Sequence, residues 1–193
     1  MKKRKVLIVL ALIAAFAILY WWSQFTITVT YFDLNGPSNL KIMQISDIHN
    51  NLFGKDQSRI MNIIRQENPD VIVLTGDIND GEKIENTELL LKQIKNIPVL
   101  FVTGNHEERN EKILNKCLNM LERQNVKHLN KETFKMKNVT FYGIDNAKSP
   151  SPKNYDTVDG YSILLTHVPE YAIKGINKYG YDIALTGHVH GGQ

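Results

Sequence analysis

Five short apolar runs, each closed at its C-terminal end by a polar cluster, constrain this chain more than any other feature. The runs are Leu40–Ile45, Val71–Leu74, Val99–Val102, Ser162–Leu165 and Ile183–Leu185. They lead in turn into Ser46-Asp47-Ile48-His49, Thr75-Gly76-Asp77-Ile78-Asn79-Asp80, Thr103-Gly104-Asn105-His106-Glu107, Thr166-His167-Val168-Pro169 and Thr186-Gly187-His188-Val189-His190-Gly191-Gly192. Short apolar stretches bounded by glycine and polar residues read as buried strands. Between them, Gln57–Glu67 carries Ile60, Ile63 and Ile64 on one helical face, and Glu111–Gln124 does the same with Ile113, Leu114, Cys117, Leu118 and Leu121. Pro69 and Pro98 fall just before strands, where they disturb least. Strands alternating with helices predict an α/β domain with a largely parallel central sheet. Thr133–Met136 and Val139–Ile144, joined by a Lys-Asn turn, predict a hairpin added to that sheet. Thr26–Phe32 (TITVTYF) alternates as a half-buried strand does.

In a parallel sheet the C-terminal strand ends share one edge, where open α/β folds build their sites. Five of the six histidines, with two aspartates and an asparagine, are therefore expected in one crevice. The glycines permit tight turns and close backbone approach. Neutral imidazoles and carboxylates without a thiolate suit borderline or hard divalent metals such as Mn, Fe or Zn. Up to seven side chains for eight ligand positions suits two ions sharing one carboxylate. Such a pair can hold a hydroxide between them and clamp a phosphoryl group for in-line hydrolysis. Without metals, Asp47 and Asp77 crowded together are expected to raise each other's pKa.

The positive charge belongs to the N-terminus. Of 23 basic residues, four are Lys2, Lys3, Arg4 and Lys5; without them the balance is 19 basic against 20 acidic, or −1. That leaves no basic excess of the kind a nucleic-acid-binding domain carries. Val6–Trp22 (VLIVLALIAAFAILYWW) is uncharged and ends in an aromatic trio suited to a membrane interface. With the cations before it, this predicts an uncleaved signal anchor over residues 1–22, N-terminus cytoplasmic and the remainder extracytoplasmic. The bulky Tyr-Trp-Trp disfavours a cleaved signal peptide. A single cysteine, Cys117, rules out an intramolecular disulfide and reads as a buried helix thiol.

The order Asp47-x-His49, Gly76-Asp77-x-x-Asp80, Gly104-Asn105-His106-Glu107, His167, Gly187-His188-x-His190 resembles the calcineurin-like metallophosphoesterases, from about Leu40 to the last residue. The Asp-Ile-His opening, Gly54 and the Gly-Gly-Gln ending look most like the membrane-anchored bacterial branch. The resemblance implies a sandwich of central β-sheets flanked by helices. It implies one ion held by Asp47, His49, Asp77 and His190, and a second by Asp77, Asn105, His167 and His188. His106 is implied to be a general acid beside the scissile phosphate, its ring oriented by Asp80, with a hydroxide bridging the two divalent ions as nucleophile. The implied substrate is a phosphomonoester or phosphodiester, with a lipid or cell-envelope source suggested by the anchor.

The expected organisation is an anchor (1–22), a linker with a first strand (23–39) and a metallophosphoesterase domain (40–193). Relatives in the family continue beyond the point matching Gln193, so a C-terminally incomplete second sheet with an exposed edge strand is expected. A truncated, inactive paralogue serving as a membrane-associated binding protein is the alternative, and an anchored metal-dependent hydrolase of other esters or amides a third reading. Glu107 is expected to support its turn and His128 to lie on the surface. In the loop Asp145–Asp159, Lys148, Lys153 and Tyr155 are candidate contacts for an anionic or lipid substrate.

Overall fold

In a computed structural model the protein is described over residues 2–146 and 155–191, without the side chains of Lys2 and residues 21–25. Two compact units result, residues 1–33 and 34–193. The first is dominated by helix α1 (Lys2–Phe25), whose described apolar side chains are solvent-exposed. Among the described residues no helix is long and apolar enough to cross a membrane. The expected belt residues Trp21 and Trp22 have side chains outside the described set. Residues 26–33 form no strand, contrary to the alternation of Thr26–Phe32. A pleated pattern becomes a strand only within a hydrogen-bonded ladder, and this segment lies outside both sheets.

The second unit holds two four-stranded sheets. In the first, β1 (Ile42–Ile45), β2 (Val71–Thr75), β3 (Val99–Val102) and β4 (Lys127–His128) run in that order, all parallel. The second has the order β5 (Thr133–Met136), β6 (Val139–Ile144), β7 (Tyr161–Thr166) and β8 (Ile183–Leu185). Only the β5–β6 pair is antiparallel. The hairpin predicted at Lys137-Asn138 forms, both turn residues adopting the positive φ (46° and 64°) that a tight two-residue hairpin requires. It opens the second sheet instead of extending the first. Helices α2 (Ser58–Glu67), α3 (Glu85–Gln93), α4 (Glu111–Arg123) and α5 (Pro169–Tyr179) complete the α/β architecture.

The sheets face each other through β2 and β3 against β6 and β7. Alternate residues of these strands form the shared core: Val71, Val73, Leu100, Val102, Val139, Phe141, Ile163 and Leu165, with Leu129. Residues between them, such as Ile72, Leu74 and Phe101, are equally buried on the opposite faces. Burial on both faces explains the continuous apolar runs. Each fully buried side chain of this size contributes about 1.5–3 kcal/mol. The outer face of the second sheet packs Tyr142, Ile144 and Leu164 with Tyr155 and Tyr181. Tyr155 is therefore core: it stacks on Tyr179 at 4.7 Å and its hydroxyl donates to the Tyr171 carbonyl. It is not available to a substrate, and Lys148 and Lys153 lie outside the described residues.

Candidate metal centre

All five polar clusters emerge from the C-terminal ends of β1, β2, β3, β7 and β8, and the two facing sheets bring those ends together. The ligand candidates sit on unusual backbone. Asp47, His49, Asp77, His188 and His190 have φ of 54°, 45°, 49°, 73° and 46°. For a non-glycine residue this left-handed region costs about 1–2 kcal/mol. Such strain persists only where surrounding bonds over-determine it, and here they do. Beyond the end of the β1–β2 ladder, Asp47, His49 and Asn50 donate backbone N–H groups to the carbonyls of Gly76, Asp77 and Ile78 at 3.2, 3.0 and 2.9 Å. The Asp47 carboxylate accepts the His188 N–H at 3.1 Å.

Glu107, fully buried, has a larger part than turn support. Its Oε2 accepts the backbone N–H of both Asp77 and Gly104 at 2.9 Å, and its Oε1 that of Asn79 at 2.9 Å. One carboxylate thus ties the β2 loop to the β3 loop. Burial pushes its pKa up, against the pull of those N–H donors.

The structure groups the sequence candidates into overlapping triads whose ligand atoms lie within 4.8 Å of one another: Asp47 with His49 and His190, and Asp77 with His167 and His188. A third, His49 with Asp77 and His106, connects them. His49 and His190 present Nε2 atoms 3.2 Å apart. His188 Nδ1 is 3.2 Å from His167 Nε2 and 3.1 Å from Asn105 Oδ1, which is itself 3.2 Å from His167 Nε2. Asp77 Oδ2 stands 3.4 Å from His167 Nε2. His167 is fully buried and its Nδ1 donates to the Thr75 carbonyl at 2.8 Å. That bond orients the ring and directs Nε2 at the cluster, as the outer hydrogen bond of a metal-bound histidine does. A neutral His167 then aims a bare lone pair at two oxygen acceptors. Such convergence of acceptors is repulsive unless a cation or a proton lies among them, so the residues fit divalent ions.

The charge states follow the same logic. Burial drives the Asp77 pKa up, but the His167 ring and the His106 backbone N–H outweigh it and hold the group below the usual carboxylate range. For Asp77 this corrects the expectation of an elevated value, because histidines and backbone donors surround it. Burial pulls His167 down, yet the Asp77 carboxylate and the Thr75 carbonyl raise it on balance. Burial and the neighbouring His106 keep His49 below its ordinary value, against the pull of Asp77.

His106 lies beside this group. Its backbone N–H donates to Asp77 Oδ1 at 2.8 Å, its Nε2 is 3.9 Å from Asp77 Oδ2, and its Nδ1 is 3.4 Å from Asp80 Oδ1. Its ring meets His49 edge-on at 4.5 Å. Sequence reasoning passed over Arg109, whose Nη2 is 2.9 Å from each ring nitrogen of His106. The signal was the i, i+3 spacing, which on the short 3-10 turn Glu107–Arg109 folds the side chain back over His106. His128 is not a surface residue: on β4 it is half-buried, with Nε2 2.8 Å from Asp145 Oδ2. Asp145 Oδ1 also accepts the Thr103 backbone N–H at 2.9 Å, supporting the strand end that carries Asn105. Cys117 is buried as expected and receives the Asn79 side-chain N–H at 3.1 Å.

The sequence profile of the calcineurin-like phosphoesterases matches residues 40–192. An uncharacterized metallophosphoesterase of Aquifex aeolicus is 31% identical over 174 residues, 80% of this chain and 64% of that protein. The uncharacterized metallophosphoesterase YkoQ of Bacillus subtilis is 27% identical over 174 residues, 83% of this chain and 64% of YkoQ. A zebrafish transmembrane protein with metallophosphoesterase domain is 26% identical over 184 residues, 83% of this chain and 41% of its own length. The chain thus spans less than two thirds of the length of these relatives.

Proposed function

Because the chain belongs to the calcineurin-like phosphoesterase family, we propose that it hydrolyses phosphate esters at a two-ion centre shared across the Asp77 carboxylate. The reading rests above all on Asp77, which belongs both to the triad with His167 and His188 and to that with His49 and His106. Asp47, His49, Asp77 and His190 would hold one divalent ion, and Asp77, Asn105, His167 and His188 the other. Bound there, Mn, Fe or Zn would supply a nucleophile from water and neutralise charge on the phosphoryl group. His106 gives its proton to the leaving oxygen as the ester bond breaks, a role suited to an alkoxide, which leaves poorly unprotonated. Asp80 orients the His106 ring.

The domain plan extends this reading: residues 1–22 as a membrane anchor, 23–39 as a linker, 40–193 as the catalytic domain facing away from the cytoplasm. It is supported by the cations at Lys3, Arg4 and Lys5 before an exposed apolar helix, and by a relative that carries this domain in a transmembrane protein. Substrates at a membrane surface, lipid or envelope phosphoesters, follow from that placement. The test is metal content together with turnover of an aryl phosphomonoester and an aryl diester. About two ions per chain and activity lost in His106→Ala are expected; a metal-loaded protein that turns over neither ester refutes the reading.

A further inference from the structure

Arg109 lays its guanidinium against the proposed general acid. Its Nη2 lies 2.9 Å from both His106 Nδ1 and His106 Nε2. Equidistant from both nitrogens, Nη2 lies over the face of the ring, beside the edge that would meet the leaving oxygen. The residue is not otherwise locked: Asp80 Oδ1 is 3.8 Å from Nη1, beyond hydrogen-bond range, and about half of the side chain is exposed. Gly81 lies alongside it, where an added Cβ would stand 4.0 Å from Nη1 and 3.9 Å from Ile113 Cδ1, ordinary van der Waals distances. Arg109 is a permanent cation beside His106. A guanidinium displaced from an imidazole seeks an anionic oxygen pair that its planar fork can grip, and a phosphoryl group provides one.

We propose that Arg109 is a substrate-binding residue that swings from the face of His106 onto the non-bridging oxygens of the substrate phosphoryl group. The proposal rests on the phosphoester-hydrolase reading above and names the side chain that grips the substrate outside the metal centre.

The experiment uses the full chain loaded with Mn, comparing wild type with Arg109→Ala and Arg109→Lys. The KM for p-nitrophenyl phosphate, the inhibition constant of inorganic phosphate and the pH profile of kcat are measured. In Arg109→Ala both KM and the phosphate inhibition constant are expected to rise about tenfold or more, with Arg109→Lys intermediate because it keeps the charge and loses the fork. Unchanged KM and phosphate inhibition in Arg109→Ala overturn the proposal, and a shift confined to the pH profile does so too, by reducing Arg109 to a neighbour that tunes His106. If wild type turns over no phosphoester, the functional reading fails. Calorimetric binding of inorganic phosphate then decides separately: weaker binding in Arg109→Ala upholds the oxyanion contact, and equal binding overturns it.

Discussion

The Glu107 carboxylate accepts the backbone N–H of Asp77 at 2.9 Å, from the loop after one strand to the loop after the next. Because the same carboxylate also holds Gly104 and Asn79, it sets the backbone on which the shared ligand Asp77 and the β3 loop bearing Asn105 and His106 depend. No other atom of Glu107 is needed for this, and the residue has no exposed surface with which to meet a substrate.

Replacing Glu107 by Ala strands three buried N–H groups. At about 1–3 kcal/mol each, the loss is expected to exceed 3 kcal/mol, read as a large fall in thermal midpoint and in retained metal. Glu107→Gln keeps the shape but offers one acceptor oxygen where the loops need two, so an intermediate loss is expected. Equal stability of Glu107→Gln and wild type would show that the staple is dispensable.

Glu108 gives a pH dependence with a definite sign. Its Oε1 is 2.5 Å from Thr103 Oγ1, and burial, reinforced by the nearby Asp145 charge, pushes its pKa up to about 7. The folded state keeps this proton up to about pH 7, while the unfolded chain releases it near 4.5. Between those values the unfolded state binds fewer protons, so stability falls as pH rises and the full cost is present above 7. Glu108→Gln is therefore expected to stabilise the protein at pH 8 by on the order of 1–2 kcal/mol, a figure reduced because the group is partly solvated. The gain should vanish near pH 4. Denaturant melts at the two pH values check this, and an equal gain at both would contradict it.

What was legible in the sequence, and what was not, divides by range. The five site-bearing strands and α2 and α4 were legible because burial on two faces, or on one helical stripe, leaves a periodic trace. Helix α3 was missed because Leu89, Leu90 and Leu91 are consecutive, without helical spacing. Helix α5 was missed too; in the fold its Gly175 makes room for Leu164 of β7, which an added Cβ would strike. The ligand candidates were legible because each closes a strand. The His128–Asp145 pair and the contact of Arg109 with His106 left no such trace, since they follow from how chain segments meet.

Gly187 tests how closely β8 must approach β1. A Cβ there would collide with Ser46 Oγ and come within 2.8 Å of the Thr75 carbonyl and 2.9 Å of Asp47 Oδ2. Gly187→Ala is expected to displace the Asp47 carboxylate and, through the Thr75 carbonyl that orients it, to tilt His167. Metal titration should then show the site of Asp47 weakened about tenfold or more and the site of His167 weakened less. Equal loss at both sites would mean that the loop after β8 moves as one piece.

Asp77→Asn separates the ligand role from the structural one. In the wild type, Oδ1 accepts the His106 N–H at 2.8 Å and Oδ2 faces His167 Nε2 at 3.4 Å. An asparagine can keep its oxygen on His106 and turn its amide N–H toward the lone pair of a neutral His167. The metal-free variant should therefore fold with a stability within about 1 kcal/mol of wild type, the difference between a charge-assisted and a neutral hydrogen bond. Metal binding should respond in the opposite way, because the removed charge is the one that both proposed ions share. Occupancy is expected to fall at both sites together, and turnover by at least about 10³-fold, since metal stabilisation of the transition state amounts to several kcal/mol at 1.36 kcal/mol per decade. Calorimetric metal titration of the apoprotein beside its thermal melt checks both parts. If Asp77→Asn loses one ion and keeps the other at wild-type affinity, Asp77 does not bridge, and the two-ion centre proposed around it must be redrawn.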